Sequence, residues 1–155
     1  MTDFHDLLTL ATVLEGVGVA NKKALFQQLG ALAQEAYGLD AKHIVERLAE
    51  RERLGSTGFG AGVALPHARI AGLDRVKGMF LALVRPIEFQ AIDDLPVDIV
   101  FALLSPTDVG AEHLKALARV SRTLRDRAFL AKLRGAGSPD ALYALLSADE
   151  ARDAA

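Results

Sequence analysis

The stretch Gly55-Ser-Thr-Gly-Phe-Gly-Ala-Gly-Val-Ala-Leu-Pro-His67-Ala-Arg-Ile70 carries a glycine-rich loop through a short apolar strand and delivers one histidine. Glycines 55, 58, 60 and 62 permit positive φ and allow backbone N–H groups to turn toward an anion, and Ser56 and Thr57 add hydroxyl donors. Pro66 stops the strand and fixes the chain direction just before His67. The layout suits chemistry on an imidazole. It is not a Walker-type phosphate loop, which needs a lysine and a hydroxyl residue after its last glycine, because Val63 and Ala64 follow Gly62. The dinucleotide fingerprint fails too: counted from Gly60 and Gly62 its third small position is Leu65, and counted from Gly16 and Gly18 it is Asn21. Gly55-Ser-Thr-Gly58 is not a nucleophile elbow either.

Outward from this stretch, the chain alternates helical and strand patterns without a low-complexity linker or internal repeat, which predicts a single-domain α/β fold. Asn21 caps a helix whose inward residues are Leu25, Phe26, Leu29, Leu32 and Ala33 and whose stop is Gly38. Asp40 caps a second helix ending near Glu52. Strands are expected over Gly62–Leu65, Val76–Val84 and Val97–Leu104, the last two apolar enough for the sheet interior. A long helix is expected from about Gly110 to Arg127, with Thr107 or Asp108 as N-cap and a core face of Leu114, Leu117, Ala118, Val120, Ser121 and Leu124. Lys115, Arg119, Arg122 and Asp126 then face solvent. A shorter helix follows near Phe129–Arg134, and a last one begins at Ser138-Pro139. The domain is expected to span 1–148, with a frayed tail over 149–155.

With 155 residues, one domain can bury about two-thirds of the surface its unfolded chain exposes. A net charge of −2 argues against nucleic acid as a main partner. The chain has no cysteine, which excludes disulfides and thiolate chemistry and agrees with a reducing compartment. No segment approaches the roughly 20 apolar residues of a membrane span, and Met1–His5 lacks the start of a secretion signal. A cytoplasmic protein without membrane insertion is expected. No metal is expected, because there is no His-Glu-x-x-His pattern and no tight acidic loop.

Two further residues draw attention. Arg51 shares a helix face with Ile44 and Leu48, so it extends the inward stripe, whereas Arg47, Glu50 and Arg53 point to solvent. It acts either in the site or only as a cation at a helix C-terminus, worth about 0.3–1 kcal/mol. His113, in the first turns of the long helix and at one border of its core face, either reaches into a cleft near the positive helix end or is half-buried and bonded to backbone. His5 and His43 read as uninvolved.

The run from Arg51-Glu-Arg-Leu54 through Ile70, the segment Ala91-Ile-Asp-Asp-Leu-Pro-Val-Asp-Ile-Val-Phe-Ala-Leu-Leu-Ser-Pro106 and Glu112-His113-Leu114 occur in this order. Together they closely resemble the enzyme IIA phosphocarriers of the bacterial phosphoenolpyruvate-dependent phosphotransferase system, of fructose/mannitol type and most like the nitrogen-regulatory branch. The resemblance covers nearly the whole chain. It implies a mixed β-sheet flanked by helices, His67 as the phosphorylated histidine, and His113 and Arg51 as active-site partners. Ser56, Thr57 and Gly58 would be loop donors to the phosphoryl group. It also implies a small HPr-type phosphocarrier as donor, no cofactor, and regulatory targets such as sensor kinases or potassium transporters.

Neutral imidazole, with an ordinary pKa of about 6.5, is available near pH 7 for in-line attack on phosphorus. A regulatory binding module switched by phosphate on His67 is the alternative of another class, and a sugar-specific enzyme IIA is the nearest relative function. The chain carries no attached carrier or membrane domain, which leans toward the regulatory branch. It departs from close relatives at Ala68-Arg69, where glycine-lysine commonly follows the histidine.

Overall fold

The computed structural model describes residues 3–108 and 110–148. A short 3-10 turn, Leu10–Thr12, leads into β1 (Val13–Val17), followed by α1 (Lys22–Tyr37) and α2 (Ala41–Arg53). Three short strands come next, β2 (Gly58–Gly60), β3 (Val63–Ala64) and β4 (His67–Ile70), then two long ones, β5 (Lys77–Ile87) and β6 (Val97–Pro106). Helices α3 (Gly110–Leu124), α4 (Arg127–Gly135) and α5 (Pro139–Leu146) close the chain. The expected tail, 149–155, lies outside the described residues.

One mixed six-stranded sheet organises these elements in the order β1-β5-β6-β3-β2, with β4 also paired to β6. β5 and β6 are antiparallel; β1 runs parallel to β5, and β3 and β4 run parallel to β6. Successive strand residues point to opposite faces, and the two faces build two cores. Met79, Leu81, Val100, Ala102 and Leu104 pack with Leu25, Leu29, Ile44 and Leu48 of α1 and α2. Phe80, Ile99, Phe101 and Leu103 pack with Val120, Leu124, Leu130 and Leu142 of α3, α4 and α5. The expected α/β fold is present as three layers, helices on both faces of the sheet.

Local chemistry sets the helix ends. Asn21 accepts from the Ala24 N–H at 2.8 Å, and Gly38 ends α1 in the left-handed region at φ 69°. Asp40 and Ser138 cap α2 and α5, the latter with Pro139 at its first position. Asp126, expected on the polar face of one long helix, instead accepts from Ala128 and Phe129 N–H and starts α4. The long helix therefore stops at Leu124, because an aspartate able to bind the next two N–H groups favours a new start over continuation.

α3 is also rotated from the expected face. His113, Ala116, Val120, Thr123 and Leu124 are buried, while Leu114 is 64% exposed and Ala118 is exposed. Small Ala116 and Thr123 let the helix approach the sheet closely, and this orientation turns His113 inward instead of leaving it at a border. The junction from which a Thr107 or Asp108 cap is expected includes Val109, outside the described residues. Arg119 is not a free solvent-facing cation: it pairs with Asp6 at 2.9 Å.

The strand expected to stop at Pro66 resumes immediately. β3 pairs Val63 with Ile99 and β4 pairs His67 with Leu103, so both keep one register on β6 across the interruption. Pro66 lacks an N–H but its carbonyl accepts from Leu103 N–H at 2.9 Å, which keeps the chain on the ladder. Within the preceding loop, Gly55, Gly60 and Gly62 adopt positive φ, but Gly58 does not. Gly58 is needed for proximity instead, since a Cβ there would stand 2.8 Å from the Ala91 Cβ.

Candidate functional site

The edge of β4 gathers the residues singled out from the sequence. Ala68 and Ile70 point into the α1/α2 core, so His67 and Arg69 point to the opposite face, toward α3. There the His67 ring lies beside the inward-turned His113 ring, centroids 5.6 Å apart and planes tilted by 52°. Arg51, in the last turn of α2, reaches around the edge strand and donates from Nε to His67 Nε2 at 3.2 Å. Its Nη1 donates to the Gly55 carbonyl at 2.9 Å, which fastens the guanidinium to the start of the glycine loop. The sequence-predicted trio of His67, His113 and Arg51 is thus one cluster, and Arg51 is more than a helix-end cation.

The proton positions follow from these partners. Nδ1 of His67 is 2.8 Å from the Leu65 carbonyl, which can only accept, so the neutral ring carries its proton on Nδ1. Nε2 then holds the lone pair, consistent with its accepting from Arg51. Burial lowers the His67 pKa below its ordinary value, opposed by the Leu65 hydrogen bond and assisted by the Arg51 charge. The pKa of His113 is lowered to about 4, first by burial and then by the positive charge of Arg69 and by His67. Near pH 7 the cluster holds two neutral imidazoles beside permanent cations.

These groups line an open cleft of about 490 Å³ whose wall also includes Arg47, Glu50, Arg53, Leu54 and Arg69. Arginines outnumber the single carboxylate, Glu50, so the cleft favours an anion. Arg47 and Glu50, expected to point to solvent, form a 2.6 Å ion pair, and Arg47 Nε also faces the Arg69 carbonyl at 3.4 Å. Arg53 is exposed.

Ser56 and Thr57 line a second concavity, which shares Arg51 and His67 with this cleft. Both hydroxyls and the Thr57 and Gly58 N–H groups are engaged within the protein. Thr57 gives both its N–H and its hydroxyl to Glu52, the hydroxyl at 2.6 Å. Ser56 Oγ donates to the Phe89 carbonyl and accepts from Gly58 N–H at 3.1 Å. In this arrangement they shape the loop between Arg51 and His67.

Glu52 and Ser105 are partners that sequence reasoning missed. The Glu52 side chain is 7% exposed and also receives Lys22 Nζ at 2.8 Å, tying α1, α2 and the loop together. Its signal was its place one residue after Arg51, on the loop side of the same helix end. Ser105 is fully buried at the end of β6 and its Oγ hydrogen-bonds to His113 Nδ1. Only the β4–β6 register, which pairs Arg69 with Ser105, puts it on the site's face. Among the described residues no group of three or more His, Cys, Asp or Glu could hold a metal ion, and His5 and His43 are exposed.

A family model described as "Phosphoenolpyruvate-dependent sugar phosphotransferase system, EIIA 2" matches residues 7–149. The chain belongs to the EIIA 2 family. This EIIA 2 protein is 43% identical over 142 residues to the nitrogen regulatory protein of Bradyrhizobium diazoefficiens, covering 92% of this chain and 93% of that one. The crystal structure of the nitrogen regulatory protein IIA-Ntr from Neisseria meningitidis superposes with a TM-score of 0.85 at 34% identity, over 91% of this chain and 97% of that one. The fold is shared more widely: IIA mannitol from Escherichia coli gives a TM-score of 0.75 at 19% identity, over 90% and 98% of the two chains. EIIA 2 proteins are phosphotransfer components, and no described helix here is long and apolar enough to cross a membrane.

Proposed function

We propose that this EIIA 2 protein accepts a phosphoryl group on His67 Nε2 from the phosphohistidine of a small HPr-type carrier and serves a regulatory relay of nitrogen type. The observation that carries the proposal is the state of His67: a neutral ring with its proton held by the Leu65 carbonyl and its lone pair facing an arginine-lined cleft. The Nε2 lone pair attacks phosphorus in line. The donor's phosphorus–nitrogen bond breaks with its electron pair left on the donor ring, and the Nδ1 proton of His67 stays in place. Arg51 moves from Nε2 to the phosphoryl oxygens, where its charge and that of Arg69 stabilise the group in transfer. His113, neutral and adjacent, contributes a hydrogen bond without adding a proton that must be removed. Ser56, Thr57 and Gly58 act through the loop they shape.

A protein donor fits the mouth of the cleft. Leu54, which lines it, is 84% exposed, and Leu114, next to His113, is 64% exposed, so apolar surface flanks the charged centre. The likeness to nitrogen regulatory proteins favours the regulatory branch over a sugar-specific component. In such a relay the phosphoryl group turns the site from neutral to anionic and changes which regulatory target binds, sensor kinases and potassium transporters being the target classes to examine. The test is incubation with phosphoenolpyruvate, the general energy-coupling enzyme and its histidine carrier, followed by intact mass at neutral pH. One acid-labile phosphoryl on the wild type and none on His67→Ala is expected; no gain on the wild type would overturn the transfer mechanism.

A further inference from the structure

We propose that Ser105 is a positioning residue that sets the tautomer of His113, holding the proton on Nε2 so that this nitrogen presents an N–H toward the phosphoryl site on His67. The argument is an account of hydrogens. Ser105 is fully buried, and its hydroxyl has one hydrogen to donate. Among the described residues its Oγ has a single hydrogen-bond partner, His113 Nδ1. If Nδ1 carried the proton and donated to Oγ, the hydroxyl hydrogen would be left in the core without an acceptor, a loss that outweighs a single hydrogen bond. The hydroxyl therefore donates, Nδ1 accepts, and the proton of the neutral ring resides on Nε2.

The placement has a cause in the sheet. Ile99, Phe101, Leu103 and Ser105 alternate onto the α3 face of β6, and the first three are apolar core residues. Ser105 occupies the next position of that row, where another apolar side chain would continue the core, and it lies opposite Arg69 on β4. His113 comes in from α3 to meet it. Near pH 7 His113 is neutral, so a choice between tautomers exists for Ser105 to make.

The two histidines then carry opposite tautomers, each fixed by an oxygen on Nδ1. A carbonyl on His67 leaves Nε2 a lone pair, and a hydroxyl on His113 leaves Nε2 a donor: one nucleophile, one hydrogen-bond donor. The consequence for transfer rests on the phosphocarrier proposal; the tautomer assignment does not.

The test is nitrogen NMR of imidazole-labelled protein at pH 7, on wild type, Ser105→Ala and Ser105→Thr. Wild-type His113 is expected to show a protonated-type Nε2 and an unprotonated-type Nδ1. Ser105→Ala is expected to shift both signals toward a mixture of tautomers, and Ser105→Thr, which keeps the hydroxyl, to restore them. The rate of phosphoryl gain from a phosphorylated carrier should fall by about three- to tenfold in Ser105→Ala, the scale of one hydrogen bond, and recover in Ser105→Thr. A protonated Nδ1 on wild-type His113, or unchanged His113 signals in a folded Ser105→Ala, overturns the assignment. A wild type that gains no phosphoryl group while showing the expected signals overturns the phosphocarrier proposal and leaves the tautomer assignment intact.

Discussion

Arg51 Nε donates to His67 Nε2 across 3.2 Å, so a guanidinium occupies the direction from which phosphorus would approach in the proposed transfer. The same cation adds to burial in keeping the imidazole neutral, and in the proposed transfer it is at hand when phosphoryl oxygens arrive. Removing it should therefore do two things at once. Arg51→Ala is expected to slow phosphoryl acceptance by about 10²–10³-fold, the scale seen when a preorganised charge-stabilising group is lost. It should also raise the His67 pKa, since the Arg51 charge is one of the causes that lower it. A rate assay with excess phosphorylated carrier and an NMR titration of His67 check the pair; an unchanged rate would remove Arg51 from the machinery.

In the proposed transfer, the nitrogen that carries the group is fixed in advance. Because the Leu65 carbonyl holds the Nδ1 proton, phosphorus NMR of the phosphorylated protein should show the phosphoryl group on Nε2 alone. A signal from an Nδ1-linked phosphohistidine at His67 would mean that the ring turns over before reaction.

Both histidines titrate low, and the sign has consequences. Their pKa values are depressed in the folded state, so the unfolded chain binds more protons as pH falls below about 6.5. Their contribution to stability is fully present above that pH and is lost progressively on acidification through the His113 pKa of about 4. Urea midpoints at pH 7.5 and pH 5 should differ less in a His113→Gln variant than in wild type. Arg69→Gln removes a charge that disfavours the imidazolium, so the His113 midpoint should move up from about 4; no movement would mean that the cation does not act on that ring.

Glu52 is a structural prediction. With a side chain 7% exposed and receiving Lys22, the Thr57 hydroxyl and the Thr57 N–H, it cannot lose its charge without weakening three contacts. Glu52→Gln should cost about 1–3 kcal/mol in denaturant unfolding, the range for a polar group left imperfectly paired. It should also slow transfer, because the loop that fixes Arg51 through Gly55 is loosened.

Much of the site was legible because it is written in contiguous sequence. Gly55 to His67 is one segment, and Arg51 shares the helix face of Ile44 and Leu48, both fully buried. The two long interior strands and the caps at Asn21, Asp40 and Ser138 follow from local chemistry. Less legible were features that depend on distant neighbours. β1, β2 and β4 are too short or too mixed in composition to stand out, and exist because β5, β3 and β6 offer them partners. The rotation of α3 was hidden because leucines at 114 and 117 suggest one core face, whereas fit against the sheet selects small Ala116 and Thr123. Ser105 could not be singled out without the strand register. Nor could Arg69, because its sharing a face with His67 depends on β4, which the expected stop at Pro66 hid.

The acceptor for the His67 Nδ1 proton is the carbonyl of Leu65, on the other side of Pro66 and within the same three-residue segment. Which nitrogen of the His67 ring bears the proton is thus set by its own stretch of chain, held against β6 by the Pro66 carbonyl, and not by either helix. α2 and α3 can shift as a partner docks, and Arg51 can swing off Nε2, without scrambling which nitrogen bears the lone pair. In the proposed transfer, readiness to react and permission to react are held by different parts of the molecule, the first by the strand and the second by the arginine that must step aside.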